Sequence, residues 1–350
     1  MLGLRSGSLL VRRWASGRAL VFDKFGPPMS VLRLEDSADA PAPKNGEVKI
    51  KMIAAPVSLF DADHIKGSLP TSSPGVGGGD GVGVIEQVGE GVEGFKVGDT
   101  VIPHGPEFGG TWRTHATVSS SSILSVPSSL PPPYAATLGV SLSTAHLLLT
   151  EFENLKEGDV VVQNGGSGLV AQLVVQLAAK KGIKTITLVR ERHDYADTVE
   201  RIKAYGGYVV VQDSYTKGPD FKKLIADLPA PKLALNSAGG DSATEMARIL
   251  APGATMVTYG NSSKDHLKLP ASLFLFNDIK LRGFNHQQWV ENHTKQERQE
   301  LINDLAGQIG EEEGGLRFWL QTHRLSDWEE ALEKALYTQK NRKVVMILDK

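Results

Sequence analysis

The stretch that decides the fold runs from Asn164 to Gln172, "NGGSGLVAQ", between the β-type run "DVVVQ" and the apolar stretch "LVVQLAAKKG". A glycine-rich turn between a strand and a helix lets the backbone approach a phosphate, and the free N–H groups at the helix start favour an anion. Leu169 stands where such turns usually have glycine. We therefore predict a dinucleotide-binding turn in which Leu169 crowds the pyrophosphate and weakens binding without abolishing it. A merely structural turn is the alternative.

Strand and helix patterns alternate from this turn onward. The predicted helices cover 168–181, 194–205, about 219–227 and 241–250, and they alternate with the strand-like runs "TITLV", "YVVVQ", "KLALNS", "ATMVTYG" and "IKLRGF". Such alternation is typical of a parallel sheet with crossover helices. We therefore predict a doubly wound α/β lobe.

The chain on either side of this lobe has a different character. Before about residue 140 it consists of short β runs such as "GEVKIKMIAAPV" and "GVGVIEQVG", separated by Gly/Pro turns. At the end, "RLSDWEEALEKALYTQKNRKVVMILDK" predicts one amphipathic helix and one strand. The predicted order is a β-rich lobe, the α/β lobe and a closing helix and strand. A ligand is expected between the lobes, at the carboxyl ends of the parallel strands.

The composition excludes several classes of function. With 350 residues, two domains of about 100–200 residues each are expected. The net charge of −2 does not suggest a nucleic-acid partner, and no apolar run reaches the roughly 18 residues of a membrane span. The absence of cysteine excludes disulfides, thiolate catalysis and Cys-based zinc sites.

The first twenty residues differ from the rest of the chain. "MLGLRSGSLLVRRWASGRAL" contains four arginines and three serines, and the first acidic residue of the chain is Asp23. An Arg- and Ser-rich start without acidic residues is typical of a mitochondrial transit peptide. A ragged basic terminus is the alternative.

Further candidate site residues follow the later strands. The run "LVRERHD" places Arg190 and Arg192 around Glu191, about where an acidic residue reads a ribose 2′-hydroxyl and arginine accommodates a 2′-phosphate. The arginine pair favours NADP over NAD, whereas a solvated strand end is the alternative. The stretches "LNSAGG" and "VTYGNSS" end two strands of the same sheet in small polar residues, which we expect near the nicotinamide.

Taken together, the sequence resembles the medium-chain dehydrogenase/reductase superfamily, and within it the mitochondrial 2-enoyl thioester reductases. The stretches that carry the resemblance are "RALVF", "VKIKMIAAPVS", "GDTVIP", "GTWRTHA", "AATLGVS", "VVQNGGS", "TITLVRERHD", "LALNSAGG", "ATMVTYG", "KLRGF" and "RKVVMIL". The resemblance implies a transit peptide at 1–17, a GroES-like substrate domain at 18–142, a Rossmann NADP-binding domain at 143–285, and a segment at 286–350 that returns to the substrate lobe. It also implies a homodimer in the mitochondrial matrix.

The resemblance further implies a reaction and a set of cofactor contacts. Hydride passes from NADPH to the β-carbon of a trans-2-enoyl thioester, carried by CoA or acyl carrier protein, and a proton goes to the α-carbon. The contacts carried over by position are Ser141, Ser167, Gly168, Leu169, Val170, Arg190, Glu191, Arg192, Tyr259, Gly260, Asn261, Ser262, Phe284, Asn285, His286, Gln287 and Lys343.

The substrate lobe departs from the family pattern. Leu69 occupies the position of the family's proton-donating tyrosine, and the first tyrosine of the whole chain is Tyr134. Ser141 stands where the family has an asparagine near the nicotinamide. The stretch "GVGGGDG" has glycine where related zinc enzymes have a metal-binding histidine, so no metal site is expected.

Three functions remain open at this point. The first is an active NADPH-dependent enoyl thioester reductase that works without the tyrosine. The second is a catalytically impaired relative that serves as a structural subunit of a mitochondrial complex. The third is an NADPH reductase for a quinone or a small enone. Leucine can neither donate a proton nor form a hydrogen bond, and general acid catalysis contributes about 10²–10⁴-fold.

Overall fold

The structure is a computed structural model that describes residues 17–37, 40–69, 75–310, 314–338 and 341–348. Apart from Gly17, the predicted transit peptide lies outside the described residues. Within the described residues, no helix is both long and apolar enough to cross a membrane.

The first part of the chain is built mainly of short strands. Its elements are β1 (Gly17–Val21), α1 (Pro28–Val31), β2 (Arg33–Ser37), β3 (Glu47–Pro56), α2 (Leu59–Ile65), β4 (Val82–Val88), β5 (Thr100–Pro103), β6 (His115–Ser119) and β7 (Ile123–Ser125). Short 3₁₀ turns occur at Pro106–Phe108 and Ser120–Ser122. Strands β1 and β2 form an antiparallel pair of their own.

A helical link leads into the parallel sheet. It consists of α3 (Pro132–Ala135), a π-helical turn (Leu138–Leu142) and α4 (Ser143–Thr150). The run "AATLGVSLSTAHLLLTEFENL" has apolar residues at helical spacing, which agrees with this link, but that spacing did not predict the π-helical turn. Its cause lies outside the local sequence, because a buried carboxylate from the β-rich lobe binds a backbone N–H of the turn, as described below.

The parallel sheet follows the predicted alternation. Its elements are β8 (Val160–Gln163), α5 (Leu169–Lys180), β9 (Lys184–Val189), α6 (Tyr195–Ala204), β10 (Val209–Gln212), α7 (Pro219–Leu224), β11 (Leu233–Asn236), α8 (Gly240–Ala247), β12 (Thr255–Thr258), α9 (Ala271–Asn277) and β13 (Lys280–Gly283), with a 3₁₀ turn at Asp213–Lys217. All strands pair in parallel in the order β10-β9-β8-β11-β12-β13. This is the doubly wound dinucleotide-binding order, with its switch point between β8 and β11.

The chain then returns to the first sheet. After α10 (His286–Asn292) and α11 (Lys295–Ala306) come β14 (Leu320–Arg324), a 3₁₀ turn (Leu325–Asp327), α12 (Trp328–Glu333), a π-helical turn (Lys334–Thr338) and β15 (Lys343–Ile347). The seven-stranded sheet has the order β14-β15-β3-β4-β5-β7, with β6 also paired to β3. The predicted closing helix and strand correspond to α12 and β15. Just before them, the polar run "LQTHR", which was not predicted as a strand, forms β14 by pairing with β15 at the sheet edge.

One apolar core joins the two sheets. Buried side chains of β3, β4 and β5 pack in the same cluster as Val161, Leu173 and the α11 residues Ile302 and Leu305. Separate clusters fill the β-rich lobe and the other face of the parallel sheet. The carboxyl ends of the parallel strands are therefore held at a fixed position against the β-rich lobe. The predicted domain boundaries at residues 142 and 285 stay predictions.

Candidate cofactor and substrate site

The carboxyl ends of five parallel strands place most of the predicted cofactor residues on one edge of the sheet. Along the strand order β9-β8-β11-β12-β13, the segments that follow the strands are 190–192, 164–168, 237–240, 259–263 and 284–287. Backbone hydrogen bonds tie neighbouring segments together, including Tyr259 N–H to Asn236 O (2.9 Å) and Ser262 N–H to Ser237 O (3.0 Å). The sequence alone predicted these segments, and the sheet order brings them together.

The glycine turn packs tightly against β9. Gly165 has a φ of 62°, a conformation that favours glycine. The Gly166 N–H donates to Leu188 O at 3.0 Å. A β-carbon on Gly166 would overlap Thr187 Cγ2 and lie 3.0 Å from Leu188 O. Two glycines are therefore required here by packing and conformation.

Leu169 lies in the apolar core instead of across the turn. It is the first residue of α5, its side chain is 8% exposed, and it belongs to the core cluster shared by the two sheets. This burial removes the steric reason for expecting weakened pyrophosphate binding. No side chain caps the N-terminus of α5, and the first N–H groups of a helix have no intrahelical acceptor. The turn therefore fits an anion such as the pyrophosphate of NADPH.

Two buried asparagines connect the strand ends at the switch point. Asn164 Nδ2 donates to Asn236 Oδ1 (2.9 Å), and Asn164 Oδ1 accepts from the N–H groups of Ser237 (2.8 Å) and Ala238 (3.0 Å). Asn236 in turn donates to Thr258 Oγ1 at 3.1 Å. This amide ladder across β8, β11 and β12 was not predicted. The sequence contains a pattern that could have predicted it, because an asparagine ends the strand-like run "VVVQN" and another ends "LALN".

The turn is also fixed to the end of the chain. Gln172 Nε2 donates to the carbonyl oxygens of Ser167 (2.8 Å) and Asn341 (3.1 Å). The segment that precedes Lys343 is therefore tied to the phosphate turn. Ser167 and Val170 are both half-buried beside it.

The arginine pair lies at the end of β9. Arg190 is exposed and Arg192 is half-buried. Burial lowers the pKa of Arg192, and the positive charge of Arg190 lowers it further. Glu191 accepts a hydrogen bond from Gln212 Nε2. These two cations have no carboxylate within ion-pair distance in the described part of the chain, so the pair fits a 2′-phosphate.

The other end of the site contains several polar groups that are half-buried or exposed. Tyr259 is half-buried, and burial raises its pKa to about 12 against an opposing hydrogen bond with Ser237. Asn285 caps α10 by accepting from Gln287 N–H at 2.9 Å. Burial lowers the pKa of His286 to about 4, against a hydrogen bond with the backbone of Gly139. His286 is therefore neutral at physiological pH.

Ser141 and Lys343 lie where the two sheets meet. Ser141 is buried in the π-helical turn. Lys343 is half-buried at the start of β15. Burial raises the pKa of both Asp61 and Asp80, and the Lys343 ammonium opposes that rise. Both aspartates are buried, and the sequence did not single them out as site residues.

Comparisons with known proteins place this architecture in a family. Residues 44–128 match the alcohol dehydrogenase GroES-like domain. The mitochondrial enoyl-acyl-carrier-protein reductase of Dictyostelium discoideum is 38% identical to this chain over 341 residues, which cover 97% of each protein. The Homo sapiens protein of the same name is 42% identical over 295 residues, which cover 83% of this chain and 78% of the human one. This chain belongs to the mitochondrial enoyl-acyl-carrier-protein reductase family.

Solved structures agree with that family. Etr1p in complex with NADP and crotonyl-CoA superimposes with a TM-score of 0.86 at 25% identity, covering 95% of this chain and 99% of that one. The mitochondrial 2-enoyl thioester reductase Etr1p/Etr2p heterodimer from Candida tropicalis gives a TM-score of 0.82 at 25% identity, with the same coverage. The resemblance in fold and family predicted from the sequence is thus confirmed.

Leu69 is the residue that the sequence resemblance aligned with a proton-donating tyrosine. The residue is half-buried, four residues after the end of α2. The nearby α2 is anchored by a capping box between Ser58 and Asp61. Among the described residues, no group of three or more His, Asp or Glu side chains could hold a metal ion.

Proposed function

We propose that this enzyme reduces trans-2-enoyl thioesters with NADPH in mitochondria. The observation that carries the proposal is the cofactor edge, in which the glycine turn and the uncapped start of α5 follow β8 at the switch point and the arginine pair follows the neighbouring strand β9. The family membership over nearly the whole chain supports the same reaction and the same compartment. Residues 1–17 are proposed as the transit peptide.

The cofactor residues divide into three groups in this proposal. The N–H groups of the segment from Ser167 to Val170 hold the pyrophosphate, and Arg190 and Arg192 hold the 2′-phosphate with Glu191 between them. The nicotinamide side is bordered by Ser141, Lys343 and the segments Tyr259–Ser262 and Phe284–Gln287. When bound, NADPH supplies a hydride to the β-carbon of the enoyl thioester.

The proton for the α-carbon comes from water in this proposal. Leu69 has no group that can donate a proton or bind the thioester oxygen. Its apolar side chain contributes only to shaping the pocket for an enoyl-CoA or an enoyl-acyl carrier protein. The reaction therefore lacks the general-acid contribution of about 10²–10⁴-fold and is slower than in relatives that have the tyrosine.

We also propose a homodimer formed through the edge of the parallel sheet. Strand β13 is the last strand in the sheet order, and all four of its residues are exposed. Beside it, Leu275 and Phe276 at the end of α9 are 75% and 80% exposed. An unpaired strand edge flanked by exposed apolar side chains is suited to self-association around a two-fold axis.

The test titrates the purified full chain with NADPH, with fluorescence as the readout. Trans-2-butenoyl-CoA is then added. Micromolar binding followed by oxidation of NADPH is the expected result. Binding without oxidation of NADPH by the thioester, but with oxidation by a quinone, would favour a quinone or enone reductase. No binding at millimolar NADPH would contradict the proposal and favour a structural role in a mitochondrial assembly.

A further inference from the structure

Three charged side chains from distant parts of the chain interact electrostatically with one another. Asp61 belongs to α2, Asp80 precedes β4, and Lys343 begins β15. Asp61 accepts hydrogen bonds from Ser58 N–H and Oγ (both 2.7 Å) and from Gly79 N–H (2.9 Å). We call Asp61, Asp80 and Lys343 the buried charge trio.

Asp80 also holds the π-helical turn that carries Ser141. One carboxylate oxygen accepts from the Val140 N–H (3.2 Å), and the other accepts from the Gly81 N–H (3.0 Å). A β-carbon on Gly139 would lie 3.0 Å from Asp80 Oδ1, so the turn rests directly on this carboxylate. From the other side, His286 forms a hydrogen bond with the backbone of Gly139. The position of the turn therefore depends on Asp80 and His286 together.

The trio changes its net charge near neutral pH. Burial raises the pKa of Asp80 to about 7, against the attraction of the Lys343 ammonium, and burial also raises the pKa of Asp61. Burial lowers the pKa of Lys343, against the attraction of both carboxylates. Ionisation of Asp80 adds one negative charge to the trio.

We propose that Asp80 is a positioning residue for NADPH, because its carboxyl group holds the turn that carries Ser141 and attracts the ammonium of Lys343. This inference rests on the proposed function, in which Ser141 and Lys343 border the nicotinamide. Asp80 touches neither the cofactor nor the substrate in this arrangement. It acts through the two groups that it holds and through its own charge.

The ionisation of Asp80 should change the affinity for NADPH in a definite direction. NADPH is an anion, so it should bind more weakly once Asp80 is ionised. The affinity for NADPH should therefore be highest below pH 7 and fall as the pH rises through about 7. The charged groups that face Asp80 are Asp61 from α2 and Lys343 from β15, while the π-helical turn contributes backbone N–H groups and His286 stays neutral in this range.

The experiment measures the dissociation constant of NADPH by fluorescence for the full chain at a series of pH values on both sides of pH 7. The variants are Asp80→Asn and, as a matched control, Asp159→Asn. Asp159 forms an ion pair with Lys232 (2.7 Å) and lies directly before β8, at the amino-terminal edge of the parallel sheet. The 2′-phosphate of NADPH titrates near pH 6 in every variant, so the comparison between variants isolates Asp80.

We expect the ratio of the wild-type dissociation constant to that of Asp80→Asn to rise about five- to tenfold as the pH increases through about 7. Asp159→Asn should follow the wild type. If Asp80 had only a structural role, Asp80→Asn would weaken NADPH binding by the same factor at every pH. The dissociation constants of the variant and the wild type would then depend on pH in the same way, and this result would overturn the inference. A wild type that binds no NADPH would instead contradict the proposed function.

A second variant keeps the inference testable if Asp80→Asn does not fold. Lys343→Met removes the attraction that stabilises ionised Asp80, so the pKa of Asp80 should rise. The increase in the dissociation constant should then occur at higher pH than in the wild type. A midpoint that stays at the same pH would show that Asp80 is not the group that titrates.

Discussion

At the cofactor edge, the groups that would hold the phosphates are mainly backbone N–H groups, whereas the substrate lobe depends at Leu69 on the identity of one side chain. Both regions carry a leucine where the sequence pattern or the family resemblance led us to expect a different residue, glycine at 169 and tyrosine at 69. At the cofactor edge, Leu169 packs into the core and leaves the N–H groups of α5 available. At position 69, no backbone group can replace a phenolic hydroxyl. A site built from the backbone therefore tolerates a substitution that a site built from one side chain does not.

The largest expected effect tests the packing of the glycine turn. In Gly166→Ala the new methyl group overlaps Thr187 and approaches the Leu188 carbonyl, so we expect a loss of about 2–3 kcal/mol in the free energy of unfolding and a clear loss of NADPH affinity. The control is Gly168→Ala, whose methyl group would lie 3.4 Å from Gly165 O at an ordinary φ of −74°. Urea unfolding and NADPH titration measure both effects. Equal free energies of unfolding for the two variants would contradict the predicted difference in packing between Gly166 and Gly168.

The second prediction restores the missing side chain on the substrate side. Leu69→Tyr should raise the turnover number for a trans-2-enoyl-CoA by about tenfold or more, because a positioned hydroxyl can protonate the α-carbon. Leu69→Phe is the control, since it adds the ring without the hydroxyl, and we expect no gain from it. A similar rise in both variants would mean that ring packing, not proton donation, limits the rate.

The third prediction tests the arginine pair at the cofactor edge. Arg190→Ala should weaken NADPH binding by about five- to tenfold and leave NADH binding almost unchanged, because only NADPH has the 2′-phosphate that the guanidinium binds. Lys203→Ala, an exposed cation on α6, is the control. Fluorescence titration with both nucleotides measures the ratio of the two dissociation constants. An equal loss for NADPH and NADH would falsify the assignment of Arg190 to the 2′-phosphate.

The smallest expected effect concerns an ion pair that joins the two regions. Lys264, in the loop after β12, donates to both carboxylate oxygens of Asp63 in α2 (2.8 and 3.1 Å), and 62% of its side chain is exposed. A double-mutant cycle with Asp63→Asn and Lys264→Gln should give a coupling free energy of about 0.5 kcal/mol that disappears at high salt. Thermal unfolding at two salt concentrations measures it. A coupling several times larger would mean that this pair holds the two sides of the cleft together.

Much of the fold was predictable because the sequence patterns that indicate each helix and strand lie within that element. The strands β8 to β13 and their intervening helices follow from the alternation of apolar runs and helical periodicity. Strand β14 was missed because its residues are polar and its pairing with β15 is a contact between distant segments. The π-helical turn at Leu138–Leu142 was missed for a similar reason, since Asp80 lies far from it in the sequence.

The sequence by itself determined the doubly wound sheet, the family, the arginine pair after β9 and the absence of a tyrosine before residue 134. These features depend on residue type and on spacing along the chain. Only the tertiary structure decided that Leu169 enters the core, that Asn164 and Asn236 form one amide ladder, and that Asp61, Asp80 and Lys343 share one buried site. The reason is that side-chain direction and long-range contacts arise from the packing of whole sheets, which no local pattern records.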